Sequence, residues 1–68
     1  MTRVEYLSFF KEVKPFININ YYLKIIGMNS GQFSKFIHGD ISSVSLNTCM
    51  MLYDMIIDDI NNIVKNWH

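Results

Sequence analysis

Apolar side chains recur along this chain at helical spacing, and polar caps and glycines cut the recurrence into segments. Thr2 and Glu5 fit a capping box, a hydroxyl at the N-cap and a carboxylate three residues on. Val4, Leu7, Phe10 and Val13 follow as one apolar stripe, which Pro15 ends by disfavouring helical backbone at Lys14. Asn18 or Asn20 can cap a second, short segment, with Tyr22 and Ile26 on one face and Gly27 as its stop. Asn29 opens a third, where Gln32 can reach back to the cap. Phe33, Phe36 and Ile37 form the apolar stripe there, and Gly39 closes it.

Asp40 to Val44 is a run of small and polar residues and predicts a loop. Ser45 can cap the last segment, whose apolar positions include Leu46, Met51, Leu52, Met55, Ile56, Ile60, Ile63, Val64 and Trp67. Their spacing fits one long helix or two consecutive ones, with Asp58 able to cap the second. No segment alternates as a half-buried strand does. The pattern predicts an all-α protein, a small bundle of four or five helices.

Composition narrows this picture. The 68 residues make one domain, 1–68, and half of them are hydrophobic, as in a folded chain. A core of this size is marginal, because folding buries only about 60% of the unfolded surface. One cysteine, Cys49, forms no disulfide within the chain, and no Cys/His spacing for zinc occurs. The N-terminal stretch has no signal-peptide pattern, and no apolar run nears the roughly 20 residues that span a bilayer. A cytoplasmic protein without a membrane partner is expected.

Charge is balanced overall but not along the chain. Arg3, Lys11, Lys14, Lys24 and Lys35 face two acids in residues 1–38, a net +3. Lys65 faces Asp40, Asp54, Asp58 and Asp59 in residues 39–68, a net −3. A basic front suits an anionic partner.

The segment Tyr22-Leu23-Lys24-Ile25-Ile26-Gly27-Met28-Asn29 resembles the L-A-x-x-L-G-V-S stretch of the phage-repressor helix-turn-helix family (Cro/C-repressor type, XRE-like). Phe33-Ser34-Lys35-Phe36 with Gly39 resembles the I-S-x-I/L-x-x-G that follows there. Ser45-Leu46-Asn47-Thr48 with Met51-Leu52 resembles the opening of the family's fourth helix. The likeness covers about residues 19–56. Leu23 departs from the family's alanine, and Gly31 stands where a base-reading side chain is expected.

The resemblance implies a lambda-repressor-like fold whose third helix enters the major groove of double-stranded DNA. Such a protein is a transcriptional regulator, a repressor of the kind found in phages, plasmids and mobile elements. Asn29, Ser30, Gly31, Gln32, Ser34, Lys35 and His38 would then face the DNA, with Lys24 beside them. Gln32 suits a bidentate contact to adenine, Ser30 and Ser34 a base or phosphate, and Lys35 a phosphate or guanine. Phosphate contacts would fall to Lys24, Lys35 and either Lys14 or Lys11, and so few cations in one copy predict weak binding, which a two-fold dimer reading two half-sites would strengthen. Ile56, Ile60, Ile63, Val64 and Trp67 form a stripe suited to that homodimer seam, unless it folds back on the first helix.

A rival reading keeps the fold and replaces DNA with a protein partner, which neutral net charge, Gly31 and the aromatic surplus favour. His38 and Asp40 complete no ligand set. Asp58 and Asp59 are neighbours on a helix and point some 100° apart, so they do not converge on a substrate. No catalytic constellation emerges, and neither enzyme activity nor a cofactor is expected.

Overall fold

A computed structural model describes residues 1–66; Trp67 and His68 lie outside the described residues. The chain is all-helical, with no strand among these residues. Its elements are α1 (Arg3–Val13), α2 (Ile19–Ile26), α3 (Ser30–Ile37), a single 3₁₀ turn at Ile41–Ser43, and α4 (Leu46–Asn66).

The capping box at the start of α1 forms as the sequence predicts. The Glu5 amide donates to Thr2 Oγ1 at 3.2 Å, and the Thr2 amide donates to Glu5 Oε1 at 2.9 Å. The Thr2 amide bond, above all, holds the Glu5 carboxyl below the usual range. The buried face of α1 is Tyr6, Leu7 and Phe10, whereas Val4 is 58% exposed. The stripe is therefore turned toward Tyr6 and away from Val4, because the rings of Tyr6 and Tyr53 meet edge-on at 5.4 Å.

The turn between α2 and α3 is set by Gly27, which takes φ 74°. Left-handed backbone is strained for a residue with a Cβ and open to glycine. The Met28 amide donates to the Leu23 carbonyl at 2.9 Å, and the Gly27 amide to that of Lys24 at 3.2 Å. This is the Schellman pattern, which satisfies the last carbonyls of α2. Asn29 then caps α3, accepting from the Gly31 amide at 2.7 Å.

The core is built around Phe10 and Phe36, both fully buried, with Phe33 5.8 Å from Phe10 between ring centroids. α1 packs on α3 and α4, and α2 packs on α4. The expected loop 40–44 is only partly a loop. Its residues 41–43 form the 3₁₀ turn, and Val44 is 1% exposed, a core residue missed because its neighbours are serines. Arg3 fastens this segment from α1, Nη1 donating to the carbonyls of Ile41 at 3.2 Å and Val44 at 3.3 Å.

α4 is one continuous helix of 21 residues. Ser45 caps it, Oγ accepting from the Thr48 amide at 3.2 Å. There is no break at Asp58. The neighbouring Asp59 accepts a 2.6 Å bond from the Tyr22 hydroxyl instead, tying α2 to α4. At 1.5 Å per residue the helix is about 31 Å long, and it outruns the core. That accounts for the elongated extents of 40 × 23 × 21 Å. No helix of the described residues is long and apolar enough to cross a membrane.

Candidate nucleic-acid interface

The residues expected to meet DNA gather on and beside the outer side of α3. Phe33, Phe36 and Ile37 bury the inner side. Lys24, Asn29, Ser30, Gly31, Gln32, Ser34, Lys35 and His38 are all exposed. Leu23, where the resembled family has alanine, is 2% exposed and fills the junction of α2 with the core.

Exposure does not leave all eight groups unengaged. Asn29 spends its carboxamide oxygen on the cap of α3. Gln32 does not reach back to Asn29. Its Nε2 donates to the Ser43 carbonyl at 2.6 Å, fixing α3 to the 3₁₀ turn. His38 folds along its own helix, with Nδ1 2.7 Å from the Ser34 carbonyl. A bidentate contact to adenine uses both the donor and the acceptor of a carboxamide. Ser43 engages one of the two Nε2 hydrogens and fixes how the carboxamide lies, while the other hydrogen and Oε1 remain for such a contact.

Gly31 has a local explanation. A Cβ built there would lie 3.1 Å from Asn29 Oδ1, the atom that caps the helix. That is tighter than ordinary van der Waals contact. A side chain there would require the capping oxygen to shift by a few tenths of an ångström, so the cap sets a local demand on this position whatever the helix meets outside.

Electrostatically, α3 is flanked by lysines from three elements. Lys35 shares a groove with Asn29, Gln32, Asp40 and Ser43. Asp40 accepts from the Ser42 hydroxyl at 2.8 Å. Hydrogen bonds from the Ser42 and Ser43 hydroxyls, and in smaller part the charge of Lys35, hold its carboxyl below the usual range. Asp40 is thus a carboxylate at neutral pH, and it offsets Lys35. Lys24 lines a hollow with Asn20, Met28 and Ser30. Lys14, at the end of α1, lines another with Asn20, Ser30 and Ser34. Lys14 is one of the lysines expected to contact phosphate, whereas Asn20 was expected only as a helix cap. The turn that carries the end of α1 to α3 is a tertiary arrangement, invisible in local spacing. Arg3, counted in the basic front, is used inside the fold on the carbonyls of Ile41 and Val44.

The expected dimer stripe divides. Ile56 is fully buried in its own core and cannot serve a seam between copies. The reason is the length of α4, whose inner stripe serves the core as far as Ile56 and then runs past it. Ile60 is half-buried against the core, while Ile63 is 67% and Val64 61% exposed. The fifth residue, Trp67, is outside the described residues.

Among the described residues no cluster of His, Cys, Asp and Glu could hold a metal. Cys49 is fully buried, and burial pushes its thiol pKa up, away from the nucleophilic thiolate. Comparison of the chain with family models, curated proteins and solved structures found no match.

Proposed function

We propose that the protein is a small sequence-specific DNA-binding regulator of transcription, repressor-like, that inserts α3 into the major groove and acts as a homodimer. The α2–turn–α3 unit is read as a lambda-repressor-like helix-turn-helix. The observation that carries the proposal is the division of α3: a wholly buried face of Phe33, Phe36 and Ile37, and an exposed face of Ser30, Gln32, Ser34 and Lys35. A helix so anchored presents polar side chains at base-edge depth without disturbing the core. The resemblance of residues 19–56 to phage-repressor sequences supports the same reading. Occupancy of an operator would then block or recruit polymerase, as for regulators of phages, plasmids and mobile elements. The two copies are proposed to meet at Ile60, Ile63 and Val64 on the distal part of α4, and at Trp67.

Selection from random duplex DNA, followed by titration across salt concentrations, tests the proposal. A selected duplex should bind with an affinity that falls steeply as salt rises, because phosphate contacts release counterions. No binding of any selected duplex at low salt overturns it.

A second reading, a protein-interaction module on the same helices, is favoured by one specific observation. Phe16 is 85% exposed, and Tyr21 and Ile25, four residues apart on α2, are 55% and 57% exposed. Phe16→Ser with Tyr21→Ser should leave duplex binding unchanged under the first reading and abolish partner capture under the second.

A further inference from the structure

The three lysine-bearing hollows around α3 are not electrically alike. The one at Lys35 is shared with Asp40, a carboxylate whose ionised form is favoured by its hydroxyl partners. An anion entering there meets a cation and an anion together. The other two hollows lie on the opposite flank and adjoin, with Asn20, Leu23 and Ser30 as common wall. The first, of about 350 Å³, has Lys14 at its edge, Asn20, Ser30 and Ser34 as neutral donors, and buried Leu23 and Phe33 as floor. The second, of about 320 Å³, has Lys24 at its edge. Among the described residues neither is lined by a carboxylate.

We infer that these adjoining hollows form the phosphate grip of the protein, in which Lys14 and Lys24 hold the phosphodiester backbone of one DNA strand while Asn20, Ser30 and Ser34 donate hydrogen bonds to its oxygens. The inference rests on the DNA-binding reading and deepens it. It selects, among the lysines expected to contact phosphate, the pair at the junction of α1, α2 and α3 and leaves out Lys35, which Asp40 offsets. The chemistry fits a phosphodiester. Each phosphate carries one charge and exposes oxygens that accept from ammonium, hydroxyl and carboxamide donors. The apolar floor supports the lysine stems while their ammonium heads stay at the rim. Two cations on one flank would also fix the register of α3 in the groove without reading sequence.

The test compares salt dependence of binding to one selected duplex. Lys14→Ala and Lys24→Ala should each lower the slope of log K against log salt by about 0.9 per bound copy, about 1.8 for the dimer, and weaken all sequences equally. Lys14→Arg should keep the wild-type slope. Lys65→Ala, on the far end of α4, should leave the slope unchanged. Phosphate ethylation interference should lose a protected position in Lys14→Ala, which a merely structural lysine would not do. Both lysines are exposed, so the variants should keep the wild-type melting midpoint. If the wild type binds the duplex but both alanine variants keep its slope, the inference is wrong and the DNA reading stands. If the wild type binds no duplex, both fall.

Discussion

At Gly31 two local demands oppose each other. Glycine within a helix is about 1 kcal/mol less favourable than alanine. Yet a Cβ at this position would press on Asn29 Oδ1, which caps the helix at 2.7 Å. Loss of such a cap costs about 1 kcal/mol. Gly31→Ala should therefore change stability by less than about 0.5 kcal/mol in the wild-type background. In an Asn29→Ala background the obstructing oxygen is gone, and the same substitution should stabilise by nearly 1 kcal/mol. A double-mutant cycle by urea unfolding measures the difference. Equal effects in both backgrounds would mean that the cap and the glycine are independent.

Most helix ends were legible in the sequence because each has a local cause, although Asn18 makes no capping bond to α2, Gln32 turns to Ser43 instead of Asn29, and the continuity of α4 was left open. Thr2 with Glu5, Gly27, Asn29 and Ser45 all act within a few positions of themselves. What was not legible depended on neighbours distant in sequence. The rotation of α1 toward Tyr6 needs Tyr53, the burial of Val44 needs a core that spacing cannot locate, and Asn20 joins Lys14 beside α3 only through the turn after α1. The expected seam on α4 failed at Ile56 for the same reason. Periodicity marks an apolar stripe but not where one partner for it ends and another begins. The division along α4 is testable. Ile56→Ala should cost about 2–5 kcal/mol, a large share of the stability of so small a domain, and should lower the melting midpoint of the monomer itself. Ile63→Ala should cost the isolated copy little and, under the dimer proposal, shift the sedimentation equilibrium toward single copies. Equal losses of monomer stability would mean that Ile63 is core.

For the molecule as a whole, the link between Tyr22 and Asp59 makes stability depend on alkaline pH. The hydrogen bond to Asp59, with burial next, pushes the Tyr22 phenol from 10.0 up to about 12. The folded state thus keeps the proton that the unfolded chain gives up near pH 10. Its contribution is fully present below pH 10 and is lost as pH rises from there toward 12. Unfolding free energies should fall across that window in the wild type. In Tyr22→Phe the fall should be shallower, and the variant should be less stable at neutral pH by about 1.5 kcal/mol. Parallel pH profiles for the two proteins would show that the bond does not form in solution.

The 2.6 Å bond from Gln32 to the Ser43 carbonyl carries a consequence for affinity. It occupies one of the two Nε2 hydrogens and fixes how the carboxamide lies, so a ligand that needs the group turned otherwise must first displace an internal competitor. A neutral hydrogen bond has a net worth of about 1 kcal/mol, which is roughly a fivefold reduction in affinity. Only a ligand that turns the carboxamide meets that cost, and only one that offers a matching donor and acceptor pair recovers the loss. Gln32 is in this sense a threshold: weak or mismatched contacts leave it on Ser43, and the surface around it stays closed to them.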